Sequence, residues 1–349
     1  MNSDRPSMRL VTRIGISVVV ALALMVPLAA SAQTNVSNGK LKNFQHVFVI
    51  MMENTGFDSL IGNLNAPFIN SVAATNGLAT NYFGVTHPSQ PNYIAATSGS
   101  TNGVANDNDT TINVPNIVDQ IEGSGRTWKA YMQSLSLCNG NLLAHACGNQ
   151  LYERKHNPFV SYQDVQSSPA RLANIVDFSQ FATDLGNNNV PDYTWISPDQ
   201  CNDMHGRFNP PPNPGSDPCD FSNVPLLIAA GDTFLSSTVN AIMNSRAWNG
   251  NSVIFIAWDE SDFTNTLPLN SYPFGFEDTR GCCDSSPGGG HVLTITISHS
   301  DHSARTSNVA YNHFSMLATI EGGWQLGCLA NTCDTANVPP MSDLVGPKG

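Results

Sequence analysis

Two stretches of the chain are apolar almost from end to end and stop abruptly in acids. His46-Val47-Phe48-Val49-Ile50-Met51-Met52 runs into Glu53-Asn54, and Ser252 to Trp258 runs into Asp259-Glu260. An unbroken apolar run of this length reads as a strand buried on both faces, as in a parallel sheet. His291 to Ile297 alternates and reads as a third strand. Thr127 to Met132 and Tyr193 to Ile196 are shorter candidates. Apolar residues at helical spacing predict a long helix over Leu226 to Trp248. Shorter helices are expected over Ala66 to Ala74, Val118 to Glu122, Val176 to Leu185 and Asn312 to Ile320. Three segments read as irregular: Leu135 to Arg171, the Pro-rich Phe208 to Ser222, and Phe263 to Gly290. Strands alternating with helices predict an α/β fold, with a mainly parallel central sheet, helices on both faces and many loops.

One stretch, Tyr82 to Thr101, starts extended and ends helical. At the join, Pro88 and Pro91 frame Ser89, with His87 and Asn92 close by. Proline suits a first helical turn, where the N–H it lacks would be unpaired anyway. Helix N-termini present free N–H groups and positive partial charge, which suits phosphate. Ser89 is therefore either a helix cap or a nucleophile aimed at a bound phosphate.

The N-terminus changes the picture of where the chain works. Arg5, Arg9 and Arg13 precede an apolar run from Ile14 to Ala30, and Ala30-Ser31-Ala32 offers a small-x-small cleavage site. This predicts a signal peptide over residues 1–32 and an exported chain, periplasmic or secreted, with one domain over 33–349. An uncleaved anchor is the alternative. No later stretch reads as long and apolar enough to cross a membrane, so no stable membrane insertion is expected. The formal charge is −12, and losing Arg5, Arg9, Arg13 and Asp4 makes the exported chain about two units more negative. No basic patch for nucleic acid or anionic lipid is present in the pattern. An anionic substrate would need local groups, with a metal ion the obvious one.

All eight cysteines follow the signal, and an even count in an exported chain reads as disulfides. Cys138–Cys147, Cys201–Cys219 and Cys328–Cys333 are plausible local bridges. Cys282 and Cys283 bond each other or two different partners. A zinc-thiolate site is the alternative, although no paired Cys-x-x-Cys spacing exists.

Ligands in open α/β sheets bind outside the carboxyl ends of the strands. Glu53-Asn54, Ser89 and Asp259-Glu260 all follow strands, so they can converge into an oxygen-rich site for a hard divalent cation. The plainer reading of each acid alone is a solvated loop residue. There is no Gly-x-Ser-x-Gly elbow and no nucleotide-binding glycine loop.

Several ordered motifs carry a resemblance. They are Val47 to Asp58 with Glu53-Asn54, Thr86-His87-Pro88-Ser89-Gln90-Pro91-Asn92-Tyr93, Asn202-Asp203-Met204-His205, Ala241-Ile242-Met243 through Trp258-Asp259-Glu260, and Asn312 to Glu321. Together they resemble the bacterial and fungal acid phosphatase/phospholipase C phosphoesterase family, over about Leu41 to Leu329. That family is similar in fold to the alkaline phosphatase superfamily. The resemblance implies one divalent metal ion held by Glu53, Asn54, Ser89, Asp259 and Glu260. It makes Ser89 the nucleophile of a phosphoserine pathway and gives Asn92 a phosphate oxygen. His205, or else His291, would protonate the leaving oxygen or activate water. Asp203 would orient His205, and His87 stands with Asp203 as a supporting partner or a ligand of a second metal. Larger phospholipase members carry Asp-Glu-Gly-Gly-Gly directly after the late strand. Here Ser261-Asp262 follow Glu260, and the glycines come only before His291, which favours the compact phosphatase branch. The expected activity is that of a metal-dependent phosphomonoesterase on a small phosphorylated substrate, a lipid phosphate among the candidates. A phospholipase C-like diesterase and a non-catalytic anion-binding protein are the alternatives.

Overall fold

Val47–Met52 and Val253–Trp258 are buried at every position and form β1 and β8 of the central sheet. Fully burying an aliphatic or aromatic side chain of this kind contributes about 1.5–3 kcal/mol. The remaining strands are β2 (Gly77–Phe83), β3 (Trp128–Met132), β4 (Ala146–Cys147), β5 (Tyr152–Glu153), β6 (Ile175–Asp177), β7 (Tyr193–Ser197), β9 (His291–Ser298), β10 (Arg305–Ser307) and β11 (Tyr311–Asn312). The structure is a computed structural model and describes Met1, Leu41 and residues 43–208, 217–261 and 278–345. The expected signal peptide lies outside the described residues. Residues Ser37–Gly349 group as one compact unit.

Among the described residues the sheet runs β10-β2-β9-β8-β1-β7-β3-β6, with β11 also on β2. All pairings are parallel except those of β9, which is antiparallel to β2 and to β8. The mixed, mostly parallel sheet matches the expected class. β9 is buried at seven of its eight positions rather than on one face, because β2 and β8 flank it and layers cover both sides. β4 and β5 form a separate small ladder.

Helices cover both faces of the sheet. They include α1 (Phe57–Leu60), α2 (Pro67–Thr75), α3 (Ser89–Ser98), α4 (Ile117–Gly123), α5 (Gln163–Gln166), α6 (Pro169–Leu172), α7 (Ser179–Gly186), α8 (Val224–Met243), α9 (His313–Trp324) and α10 (Ser342–Val345). α3 packs on α9, and α8 packs on α2 and α7. The expected start of the Val176 helix is instead β6; the helix begins at Ser179, where the Asp177 side chain accepts the Ser179 N–H at 3.0 Å. α8 has 20 residues and a mean hydropathy of 1.4, long and apolar enough to cross a membrane by length and composition. This corrects the expectation that no later stretch would qualify. Half of its apolar window is buried in the protein, and Asp232 in its middle is buried as well.

Asp232 holds α2 from across the layer. Its carboxylate accepts the N–H groups of Phe68 at 3.1 Å and Ile69 at 2.8 Å, where α2 has no side-chain cap of its own. Asn312 caps α9 locally, accepting from Phe314 and Ser315. All eight cysteines are bridged, as Cys138–Cys147, Cys201–Cys219, Cys282–Cys283 and Cys328–Cys333. No thiol is left for a zinc site.

Candidate active site

β1 and β8 are parallel neighbours in register, with Met52 opposite Trp258. Glu53 and Asp259 therefore leave the sheet side by side. The Asp259 N–H donates to the Met52 carbonyl at 3.0 Å, and the Asn54 N–H to Asp259 Oδ1 at 3.1 Å. Asn54 sits at φ 42°, a left-handed conformation that asparagine tolerates well. On the other side of β1, the loop after β7 folds over the strand end, where the Glu53 N–H donates to the Asp203 carbonyl at 2.9 Å.

Ser89 enters from α3. Pro88 occupies the cap position, so Ser89 is the first helical residue and not the cap. Its buried hydroxyl lies 3.1 Å from Glu53 Oε2 and 3.0 Å from Glu260 Oε1. One hydroxyl hydrogen cannot serve two carboxylate oxygens at once. The oxygens around it therefore outnumber the protons.

The carboxyl groups share this excess. Burial first, and then the Asp259 charge, hold the Glu53 carboxyl well above the usual carboxylate range. Burial also raises Asp203 and Asp259, the latter reinforced by Glu260. Glu260 is raised by burial despite His87, which lowers it. His87 pairs through Nδ1 with Glu260 Oε2, and its Nε2 faces the Asp278 carbonyl at 3.0 Å. It thus stands behind Glu260.

Buried and without a hydrogen-bond partner are Glu53 Oε1, Asn54 Oδ1 and Asp259 Oδ2. Together with Ser89 and Glu260 they make an all-oxygen donor set, the chemistry a hard divalent cation takes. Among the described residues no three His, Cys, Asp or Glu side chains form a metal cage by themselves. The candidate set therefore draws on the serine hydroxyl and the asparagine amide.

Several sequence expectations meet a different geometry. Asn92 is fully occupied within the turn. Its Oδ1 accepts from Val85 and Thr86 N–H at 2.8 and 3.1 Å, and its Nδ2 donates to the Thr86 and Pro88 carbonyls at 2.7 and 3.2 Å. It clamps the turn that presents Ser89 rather than offering a donor to phosphate. Asp203 does not orient the His205 ring; its Oδ1 accepts the His205 backbone N–H at 2.8 Å. The His205 Nδ1 lies 2.7 Å from the Gly206 carbonyl, and burial, then Lys155, push its pKa down to about 3. His205 is therefore a neutral ring with Nε2 as acceptor. His291 sits apart from the cluster. Its ring stacks on Phe57 at 4.7 Å, and its Nε2 faces the Thr80 carbonyl at 3.0 Å.

His156, which no sequence motif contains, lies beside the site. Its Nε2 stands 3.1 Å from Glu53 Oε1, without hydrogen-bond geometry, and its Nδ1 lies 3.5 Å from Asp203 Oδ2. The ring stacks on Tyr93 at 5.3 Å. Lys155 beside it pairs with Asp107. The available signal was Arg154-Lys155-His156, three consecutive basic residues in a chain with only 15 Lys and Arg.

A helix start carrying Ser89 and facing acidic strand ends on a mostly parallel sheet gives the chain an alkaline phosphatase-like fold. The fold is shared with a protein in the alkaline phosphatase superfamily from Vibrio parahaemolyticus, at TM-score 0.53 and 12% identity over 88% of this chain and 71% of that one. The chain belongs to the Phosphoesterase family, whose model matches residues 64–216 and 220–327. It is accordingly a hydrolase of phosphoric esters, and the non-catalytic alternative falls. It is 29% identical to a phosphatidylinositol-3-phosphatase of Mycobacterium tuberculosis, over 98% of this chain and 97% of that protein. It is 26% identical to an acid phosphatase of Aspergillus fumigatus over 91% of this chain, but spans only 64% of that relative.

Proposed function

We propose that the chain is an exported, divalent-metal-dependent phosphomonoesterase of acid phosphatase type that works through a phosphoserine on Ser89. The observation that carries this reading is the buried Ser89 hydroxyl between Glu53 Oε2 and Glu260 Oε1. Glu53, Asn54, Ser89, Asp259 and Glu260 would hold the cation. When bound, it would lower the basicity of Ser89 and offset charge on the phosphoryl oxygens. The hydroxyl proton passes to an adjacent carboxylate as Ser89 Oγ bonds to phosphorus, and from there to the departing ester oxygen as the P–O bond breaks, releasing the alcohol. Water then attacks the phosphoserine and releases phosphate and free Ser89. His205, with Nδ1 turned to the Gly206 carbonyl and its basicity suppressed by burial, can accept a hydrogen bond at Nε2. It is too weak a base to take the water proton itself, which goes to a neighbouring carboxylate. His87 keeps Glu260 in place from behind, while His156 stands 3.1 Å from Glu53 Oε1 without a hydrogen bond to it.

The name of the Mycobacterium tuberculosis relative supports a lipid phosphate monoester as a candidate substrate. Disulfides and the basic, then apolar N-terminus support export. The test combines metal analysis of the purified chain with turnover of an aryl phosphate and a phosphatidylcholine diester. Ser89→Ala should lower monoester turnover by at least about 1,000-fold while the chain stays folded. Near wild-type turnover by that variant, unchanged activity after chelation, or faster hydrolysis of the diester would overturn the reading.

A further inference from the structure

Four buried carboxyl groups and a substrate phosphate are a large concentration of negative charge. Lys155 is the cationic side chain that acts on all four of Glu53, Asp203, Asp259 and Glu260. It lies in the short 3-10 helix Arg154–His156, which packs on α3. Its two neighbours are committed. Arg154 donates to the backbone carbonyls of Leu143, Thr110 and Val160, and His156 faces Glu53 and Asp203.

Lys155 is aimed by Asp107. The ammonium donates to Asp107 Oδ2 at 3.0 Å, and Asp107 Oδ1 accepts the Gln90 N–H at 2.9 Å. One carboxylate thus ties the ammonium to the backbone immediately after Ser89. An ammonium has three N–H donors. Among the described residues Asp107 takes one hydrogen bond from it, which leaves two donors for a ligand. The side chain keeps 14% of its surface open. Burial opposes its charge, but Asp107 and then Glu53 outweigh that effect and hold the ammonium protonated.

We propose that the Lys155 ammonium, positioned by Asp107, binds a terminal oxygen of the substrate phosphoryl group and thereby favours dianionic monoesters over monoanionic diesters. This rests on the phosphatase reading above. A phosphate monoester presents one more charged oxygen than a diester, and a cation beside the nucleophile rewards that extra charge.

The experiment compares wild type, Lys155→Met, Lys155→Arg and Asp107→Asn in the metal-loaded chain. It reads kcat/KM for an aryl phosphate monoester and for a bis-aryl phosphate diester, the inhibition constant of inorganic phosphate, and Tm. Losing a charge-assisted hydrogen bond predicts that Lys155→Met costs about 10- to 100-fold in monoester kcat/KM, with a matching weakening of phosphate inhibition and a diester change under about threefold. Lys155→Arg should retain most of the phosphate inhibition. Asp107→Asn keeps the ammonium but loosens its aim, so it should lower the monoester preference by a smaller factor; this keeps the test open if Lys155→Met does not fold. Equal losses on both esters with phosphate inhibition unchanged would mean that Lys155 only supports the turn, and would overturn the proposal. A wild-type chain without monoesterase activity would instead sink the parent reading.

Discussion

Met52 lies directly opposite Trp258 where β1 and β8 end, and this pairing brings Glu53 beside Asp259. Among the described residues neither acid forms an ion pair with a Lys or Arg side chain. Burial raises the pKa values of both, and of Asp203 and Glu260 with them; repulsion from Asp259 adds to the shift of Glu53, and repulsion from Glu260 to that of Asp259.

That repulsion sets the pH response of metal-free protein. A carboxyl group whose folded pKa lies above its unfolded value binds its proton more tightly when folded. Stability is then highest at low pH and falls as pH rises from the unfolded value through the raised one. Chelated protein should therefore melt at progressively lower temperature as pH rises above about 4, the unfolded carboxylate value. Restoring a divalent cation should flatten the trend. A thermal shift series with and without chelator measures both, and identical pH curves would remove the cation from this site.

Asn92 provides a sharper test of roles. Its four hydrogen bonds all stay within the turn from Val85 to Pro88. Asn92→Ala should cost about 2–4 kcal/mol of stability and, by loosening Ser89, lower kcat by about 100-fold. Inhibition by inorganic phosphate should hardly change. Weakened phosphate inhibition with unchanged Tm would return Asn92 to the role of a phosphate ligand.

Asp232 should matter for stability alone. Replacing it by alanine leaves the Phe68 and Ile69 N–H groups unpaired at the start of α2. We expect a loss of about 2–3 kcal/mol with kcat for the folded fraction unchanged. Denaturant melts and an activity assay at low temperature report the two separately.

Glu321 offers a pH-dependent handle away from the site. Burial lifts its pKa from 4.5 to about 7, although Gln120 Nε2 donates to it at 3.1 Å. Its penalty is absent below the unfolded value and complete above the folded one. Glu321→Gln should thus raise stability at about pH 8 by up to about 3 kcal/mol and leave it unchanged near pH 4. Equal melting temperatures at the higher pH would contradict the shift.

The parts legible in the sequence were those with a short-range cause. β1 and β8 announce themselves as apolar runs, and their acids as abrupt ends. The Pro88-Ser89 turn shows its helix start in its own residues. Strand order and direction were not legible, because β9 pairs antiparallel with β2 and β8 across long sequence separations. Nothing local distinguishes it from a parallel strand. His156 was missed for a related reason. It sits in a segment without periodicity, and only its tertiary neighbours Glu53, Asp203 and Tyr93 define its place. His291 misled in the opposite sense: its position at a strand end is real, but its ring is spent on Phe57 and Thr80.

The glycines before His291 return to the acids from which the sequence separates them. The Ser261 N–H donates to the Gly289 carbonyl at 2.8 Å, and the Gly289 N–H to the Gly84 carbonyl at 2.9 Å. The backbones run so close that a Cβ on Gly289 would stand 2.4 Å from the Thr86 carbonyl oxygen, and one on Gly84 2.7 Å from that of Asp259. Ser261 and the Gly288-Gly289-Gly290 run thus meet the Gly84 turn in a seam closed by backbone contacts. A side chain at Gly84 or Gly289 would wedge this seam open and push the turn that carries Ser89 away from Asp259, so these two positions tolerate glycine alone.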